Sequence, residues 1–209
     1  LTLKNITLKI KSTYKIYSFT SKLVGQYNVM NILGALTVAD KIGVCKFDIE
    51  DGIHNVNTIK GRLEYVENPK KFNIFVDYAH SPDAIENVLS TTKPLTKGLL
   101  IALMGAGGDR DKTKRKFMTQ SAMKYADLII LTSDNPRTEN PEDILNELES
   151  PLLNGSVKYK RISDRKEAIE FGLSILTEND CFVICGKGHE DYQIIGKTKH
   201  HFSDSETVI

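Results

Sequence analysis

Apolar and polar positions change rhythm along the chain, and each rhythm predicts an element. From Leu1 to Phe19 they alternate (Leu3, Ile6, Leu8, Ile10, then Tyr14 and Ile16), which predicts two antiparallel strands with a turn near Lys11-Ser12-Thr13. From Gly25 to Val44 the period becomes helical, with a broad apolar face of Tyr27, Val29, Met30, Ile32, Leu33, Leu36, Val38, Ala39 and Ile42 and a stop at Gly43. A short helix is expected over Asp48 to Val56 and a strand from Gly61 to Val66. After the polar break Asn68-Pro69-Lys70-Lys71, short apolar runs alternate with helical stretches. Strands are expected at Phe72–Val76, Leu99–Met104, Leu128–Leu131, Val157–Tyr159 and Cys181–Cys185. Helices are expected at Pro82–Thr91, Arg115–Tyr125, Glu142–Glu149 and Arg165–Leu176. The end, Tyr192 to Phe202, reads as short strands around a Gly196-Lys197 turn. Strand–helix alternation of this kind makes a mostly parallel sheet with helices on both faces, an α/β Rossmann-like fold. A domain boundary is expected near residue 68, dividing the chain into 1–68 and 69–209.

With 209 residues, 40% of them hydrophobic and 26% charged, the chain has the ordinary composition of a soluble globular protein. A net charge of +1 gives no basic surface for nucleic acid, and no apolar run approaches the roughly 20 residues that span a bilayer. The first residues alternate, so no leader peptide is expected. The chain opens inside a strand pattern without a methionine, which predicts a preceding segment. Cys181 and Cys185 share one apolar run and read as buried reduced thiols, in keeping with a reducing cytoplasm. A monomer is expected.

The candidate chemistry sits where strands end. Thr132-Ser133-Asp134-Asn135-Pro136-Arg137 follows the strand at 128–131, and charge at the carboxyl end of a parallel strand is where open α/β sheets bind ligands. Asp134 can hold an ammonium and Arg137 can fork onto a carboxylate. The plainer reading is a turn followed by a helix with Pro141 at its first position. A second loop, Gly105 to Arg115, combines glycines with Asp109, Arg110, Asp111, Lys112, Lys114 and Arg115. It has neither the P-loop order nor the third glycine of a dinucleotide fingerprint, and a solvated charge run is its plainer reading. A third, Gly186 to Gln193, adds small residues and Glu190. In a parallel fold all three reach one edge, offering Arg110 and Arg137 to carboxylates and Asp134 and Glu190 to ammonium groups. Asp77-Tyr78-Ala79-His80 ends another strand. There Asp77 suits ribose hydroxyls, while His80 is either structural or functional. Asn28 and Asn31, three apart on one helix face, either cap the helix or bond an adenine edge.

Val76-Asp77-Tyr78-Ala79-His80-Ser81-Pro82-Asp83-Ala84, Gly107-Gly108-Asp109-Arg110-Asp111-Lys112, Asp134-Asn135-Pro136-Arg137 and Gly186-Lys187-Gly188-His189-Glu190-Asp191-Tyr192-Gln193 together resemble the Mur ligases. The resemblance runs from Arg62 to Glu206. It implies an ATP-dependent ligase of peptidoglycan precursor synthesis in the bacterial cytoplasm, working with Mg²⁺. In such a ligase ATP activates the γ-carboxylate of UDP-MurNAc-L-Ala-D-Glu, and a diamino acid's amine attacks the acyl phosphate. No residue here is implied as a covalent catalyst. The Asp-Asn-Pro-Arg loop implies selection of meso-diaminopimelate, or an analogue such as lanthionine, with Arg110, Asp134, Asn135, Pro136, Arg137, Gly186 and Glu190 at the diamino acid. Nucleotide contacts would fall on Asn28, Asn31, Arg62, Asp77 and His80. Residues 1–68 would be the tail of an ATPase domain and 69–209 the carboxy-terminal ligase domain. The family's P-loop, metal-binding glutamate and modified lysine match nothing in this chain, so the isolated chain is expected to lack turnover. The alternatives are another amide ligase of the superfamily, a folylpolyglutamate or lysine-adding type, or a binding module without turnover.

Overall fold

A computed structural model describes residues 2–12 and 14–209. The chain forms two compact units, residues 1–59 and 60–209. The boundary therefore precedes the polar break at 68–71. Residues 60–68 belong to the second unit because β3 (Glu64–Tyr65) pairs antiparallel with β4 (Asn73–Asp77) and Val66 donates to the Ile74 carbonyl at 2.9 Å.

In the first unit, β1 (Ile6–Lys11) and β2 (Ile16–Ser21) form an antiparallel pair with Lys11 opposite Ile16, as their alternation predicts. Thr13, in the expected turn, and Leu1, at the expected strand start, lie outside the described residues. Helix α1 (Gln26–Lys41) ends before Gly43, which takes a positive φ of 88°. Its buried face is narrower than the sequence suggests: Ile32 and Leu36 are buried with Asn28, while Met30, Val38 and Ile42 are exposed. Helix α2 (Lys46–Asn55) starts at Cys45, whose sulfur accepts from the Asp48 amide. Tyr17, Phe19, Leu23, Ile32, Leu36 and Ile49 make this unit's core.

The second unit is a six-stranded sheet in the order β3-β4-β8-β5-β6-β7, parallel except for β3. Its strands β5 (Leu100–Met104), β6 (Leu128–Leu131), β7 (Lys158–Arg161) and β8 (Cys181–Cys185) match the predicted runs within a residue or two, and so do their helices. Every residue of β5 and β8 is buried, as expected of strands covered on both faces. The intervening helices start where side chains satisfy free amides. Helix α3 (Pro82–Thr92) has Ser81 accepting from Ala84; α5 (Pro141–Glu149) has Asn140 accepting from Glu142, with proline first in both. Asp164 caps α6 (Arg165–Ile175), and α4 (Lys114–Met123) completes the set. One side of the core gathers Ile74, Ile101, Leu103, Ile130, Phe182 and Ile184 against Ala168 and Ile169 of α6.

Two-residue turning at Gly196-Lys197 joins β9 (Tyr192–Ile195) to β10 (Thr198–His201), with Thr198 opposite Ile195. A last helix, α7 (Asp204–Val208), was not expected from the periodicity. Its signal is the pair Ser203 and Glu206, whose spacing is that of a capping box, and Ser203 does accept from the Glu206 amide. No helix among the described residues is long and apolar enough to cross a membrane.

Candidate functional site

Strand register decides where the loops go. Asp77 lies opposite Cys185, and Met104 opposite Leu131, so β4, β8, β5 and β6 end together at one edge. Three loops leave from there: 105–113 after β5, 132–140 after β6 and 186–191 after β8.

The first two loops are stitched into one body. Gly108 donates its amide to the Asn135 carbonyl at 2.9 Å. A side chain at Gly108 would collide with the Pro136 carbonyl, its Cβ falling 1.9 Å away. Thr138 Oγ1 donates to Asp109 at 2.8 Å, and the Asp109 amide donates to Glu139 at 2.6 Å. Beneath them lies Arg115, fully buried, forked onto Glu139 at 2.9 and 3.1 Å and bonded to Glu147 and the Gly107 carbonyl. Its guanidinium, with Lys112 and the Asp109 amide, holds the Glu139 carboxyl down to about 2. Above this body stand the two predicted arginines. Arg137 takes a positive φ of 53° and donates Nη1 to the Gly108 carbonyl at 2.7 Å. Both flank Gly107: a methyl group there would lie 2.8 Å from Arg137 Nη1 and 3.7 Å from Arg110 Cγ. Arg110 is exposed and Arg137 half-buried.

The third loop supplies the opposite charge. Gly186 adopts φ 118°, and a Cβ on it would meet the Asp134 carboxylate at 2.5 Å, so only glycine lets the two loops touch. Asn135, buried, donates Nδ2 to Glu190 at 2.9 Å. Its Oδ1 accepts from the Ile194 amide at 2.8 Å and from the Lys187 ammonium at 3.0 Å. Strand β9 then clasps the Asp-Asn-Pro-Arg loop: Gln193 donates to the Asp134 carbonyl, Arg137 N to Ile194 O, and Gly196 N to Arg137 O. Arg110, Asp134, Asn135, Pro136, Arg137, Gly186 and Glu190 are thus brought together, the arginines flanking Gly107 and the carboxylates set around Lys187.

Sequence reasoning left the buried cations without roles. Lys187 has no exposed surface, donates to Tyr192 O at 2.7 Å, and lies 3.7 Å from Asp134 and 3.8 Å from Glu190. Burial brings its pKa below the usual lysine value, aided by the Arg165 charge and opposed by Asp134, Asp204 and Glu190. Arg165 is equally enclosed; it pairs with Asp204 at 2.7 Å through two nitrogens and donates to the Cys185 carbonyl just before Gly186. The available signal was a lysine between two glycines directly after a fully apolar strand. Asp134, expected to be an open anion for an ammonium, instead stands beside a buried counter-charge.

The residues expected at a nucleotide divide differently. Asn28 and Asn31, in the first unit, touch each other at 3.2 Å. Asn28 is 1% exposed and donates to the Val24 carbonyl, so it caps no amide, and Gly25 is the helix cap. In the second unit Asp77 is 3% exposed and both its oxygens are engaged, by Leu63 N at 2.6 Å and Ala79 N at 2.8 Å. Burial raises its pKa against those two bonds, and in this arrangement it anchors the 61–63 turn. Arg62 stands 5.6 Å over the Tyr78 ring, and His80 and His189 lie against the same ring at 4.6 and 5.2 Å. Arg62 and His80 are exposed, and His80 Nδ1 bonds the Tyr78 carbonyl. Cys181 and Cys185 are free and buried, and burial holds the Cys181 thiol up at about 12.

A family model described as "Mur ligase, glutamate ligase domain" matches residues 61–188. The chain belongs to the Mur ligase family. Its Mur ligase relatives include two proteins named UDP-N-acetylmuramoyl-L-alanyl-D-glutamate–2,6-diaminopimelate ligase. The one from Caldanaerobacter subterraneus subsp. tengcongensis is 42% identical over 99% of this chain and 42% of its own length. The one from Aquifex aeolicus is 45% identical over 96% of this chain and 41% of its own. A solved structure of a ligase with that name superposes with a TM-score of 0.73 at 38% identity, covering 99% of this chain and 42% of that one. The Mur ligase fold extends to more distant structures: a UDP-N-acetylmuramate-alanine ligase from Thermotoga maritima gives 0.65 at 18% identity over 91% of this chain and 41% of its own. The chain spans about two fifths of the length of these relatives.

Proposed function

We propose that this chain is the amino-acid-binding part of an ATP-dependent ligase that adds meso-diaminopimelate, or a close analogue, to UDP-MurNAc-L-Ala-D-Glu for peptidoglycan synthesis in the bacterial cytoplasm. The observation that carries the reading is the meeting of opposite charges at one sheet edge: Arg110 and Arg137 outside, Asp134 and Glu190 within, with the Asn135 amide holding Glu190. The far end of diaminopimelate bears a carboxylate and an ammonium, whereas lysine bears the ammonium alone. An arginine pair facing that end rewards the carboxylate and is left unpaired by lysine. Glu190, half-buried and steered by Asn135, is the anion for the ammonium; Asp134 and Gly186 shape the wall beside it.

The work of this domain is orientation. Loops tied to each other and to a rigid sheet hold the diamino acid so that its near amine points to the activated carboxyl carbon. ATP, when bound, supplies the phosphoryl group that activates that carboxylate. On this chain Arg62 and His80, grouped on Tyr78, form a donor set suited to phosphate oxygens. Asp77 is already committed to two backbone amides and would reach a ribose only with a second set of bonds. Asn31 would offer its carboxamide edge to adenine, held by Asn28. Mg²⁺ would accompany the nucleotide, and no residue of this chain is assigned to it. Residues 60–209 would be the ligase domain and 1–59 the end of an ATPase domain.

Isothermal calorimetry on the chain tests the reading. Diaminopimelate is expected to bind at least about tenfold more tightly than lysine, the worth of one charge-assisted bond. R137A is expected to erase most of that preference and E190Q to weaken both ligands. Equal affinity of the unsubstituted chain for the two amino acids would reject the assignment.

A further inference from the structure

The inner layer of this site can be counted by charge. Asp134, Glu190 and Asp204 are its carboxylates; Lys187 and Arg165 are its cations, both with no exposed side-chain surface. Arg165 and Asp204 cancel, joined by two bonds of 2.7 Å. What remains is one ammonium between two carboxylates, 3.7 Å from Asp134 and 3.8 Å from Glu190. Both separations exceed a hydrogen bond, so Lys187 is shared as an ion pair between the two carboxylates and is hydrogen-bonded to neither. Its hydrogen bonds go instead to neutral oxygens, Asn135 Oδ1 and Tyr192 O. A glutamine amide could serve those two acceptors without the several kcal/mol that burying an ion costs. The positive charge is therefore the feature to be explained.

We infer that Lys187 is a positioning residue that sets the charge of the pocket: it cancels one of two carboxylates, leaving one negative charge for one ammonium, and it aims Asn135 so that its amide holds Glu190. The class of ligand this favours is an amino-acid end with a single ammonium and a carboxylate beside it, the carboxylate being met by the outer arginines. The inference rests on the proposed diamino-acid reading and adds a selectivity element buried behind the predicted contact residues.

Calorimetry of K187Q, which keeps a donor and removes the charge, is the test. With two uncompensated carboxylates the pocket should turn toward a cation-only tail. The preference for diaminopimelate over lysine is expected to fall at least about tenfold. K187Q/E190Q restores the charge count and should recover most of the preference, at lower overall affinity. Equal weakening of both ligands in K187Q, with their ratio unchanged, would make Lys187 a structural staple and overturn the inference. The unsubstituted chain is the control for the underlying reading: if it shows no preference, that reading fails; if it does and K187Q keeps the ratio, only the present inference fails. Should K187Q not fold, ¹⁵N spectra of the unsubstituted chain decide. The Lys187 ammonium resonance should move on adding diaminopimelate and stay in place with ATP alone, and a resonance that diaminopimelate does not move overturns the inference.

Discussion

Glu139, outside the proposed binding residues, takes four bonds at once, two from Arg115 and one each from Lys112 and the Asp109 amide. Its folded pKa of about 2 lies below its ordinary 4.5, so its contribution to stability is fully present above about pH 4.5. That contribution drains away as pH falls from 4.5 toward 2. A circular-dichroism acid titration should show E139Q less stable at neutral pH and less sensitive to pH across that window. Gly186 gives a second expectation at this scale. G186A must place a side chain in a glycine-only conformation and against Asp134, costing on the order of 1–3 kcal/mol. Diaminopimelate affinity should fall with it. The gathering of Asp134, Arg137 and Glu190 at one sheet edge was legible because charge follows an apolar strand in each case. Lys187 and Arg115 were not, because the sequence shows a charged residue without showing what encloses it. Asp77 shows the same limit: a carboxylate after a strand reads the same whether or not its oxygens also tie down the preceding turn, as they do here at Leu63 and Ala79.

Helix α7 shows how much a short element can carry. Asp204, its first residue, is the partner of Arg165, whose guanidinium also holds the β8 carbonyl beside Gly186. Removing one member strands the other in the interior. D204N should therefore lower unfolding free energy in urea by about 3–5 kcal/mol. The loss should exceed that of E206Q at the exposed His201 pair, where about 1 kcal/mol or less is expected. Strands and helices with strong periodicity were legible to within a residue or two, as at β5, β6 and α3. The short, weakly patterned pieces were less so. The run from Gly61 to Val66 yields a strand of two residues, because Gly61 and Leu63 take positive φ values and turn the chain. α1 misled in its surface, since a helix of mostly apolar residues does not reveal which of them a small unit has partners for.

The division at residue 60 predicts that the second unit stands alone. A chain of residues 60–209 is expected to unfold cooperatively and to bind diaminopimelate as the 209-residue chain does, because each proposed contact residue for that ligand lies within it. Incubated with ATP and UDP-MurNAc-L-Ala-D-Glu, the 209-residue chain should release no ADP; measurable turnover would refute the division of labour proposed above. The fold class was legible from alternation alone, but the strand order was not. Nothing in the sequence says that β8 lies between β4 and β5 and pairs with both. That placement has a cost during synthesis. A ribosome delivers β4 roughly a hundred residues, and β5 roughly eighty, before the strand that joins them, and until then both present open, apolar edges. The nascent protein must be shielded or kept loose over that interval, and the loops proposed to read the amino acid take their final form only when the last parallel strand slides into the gap.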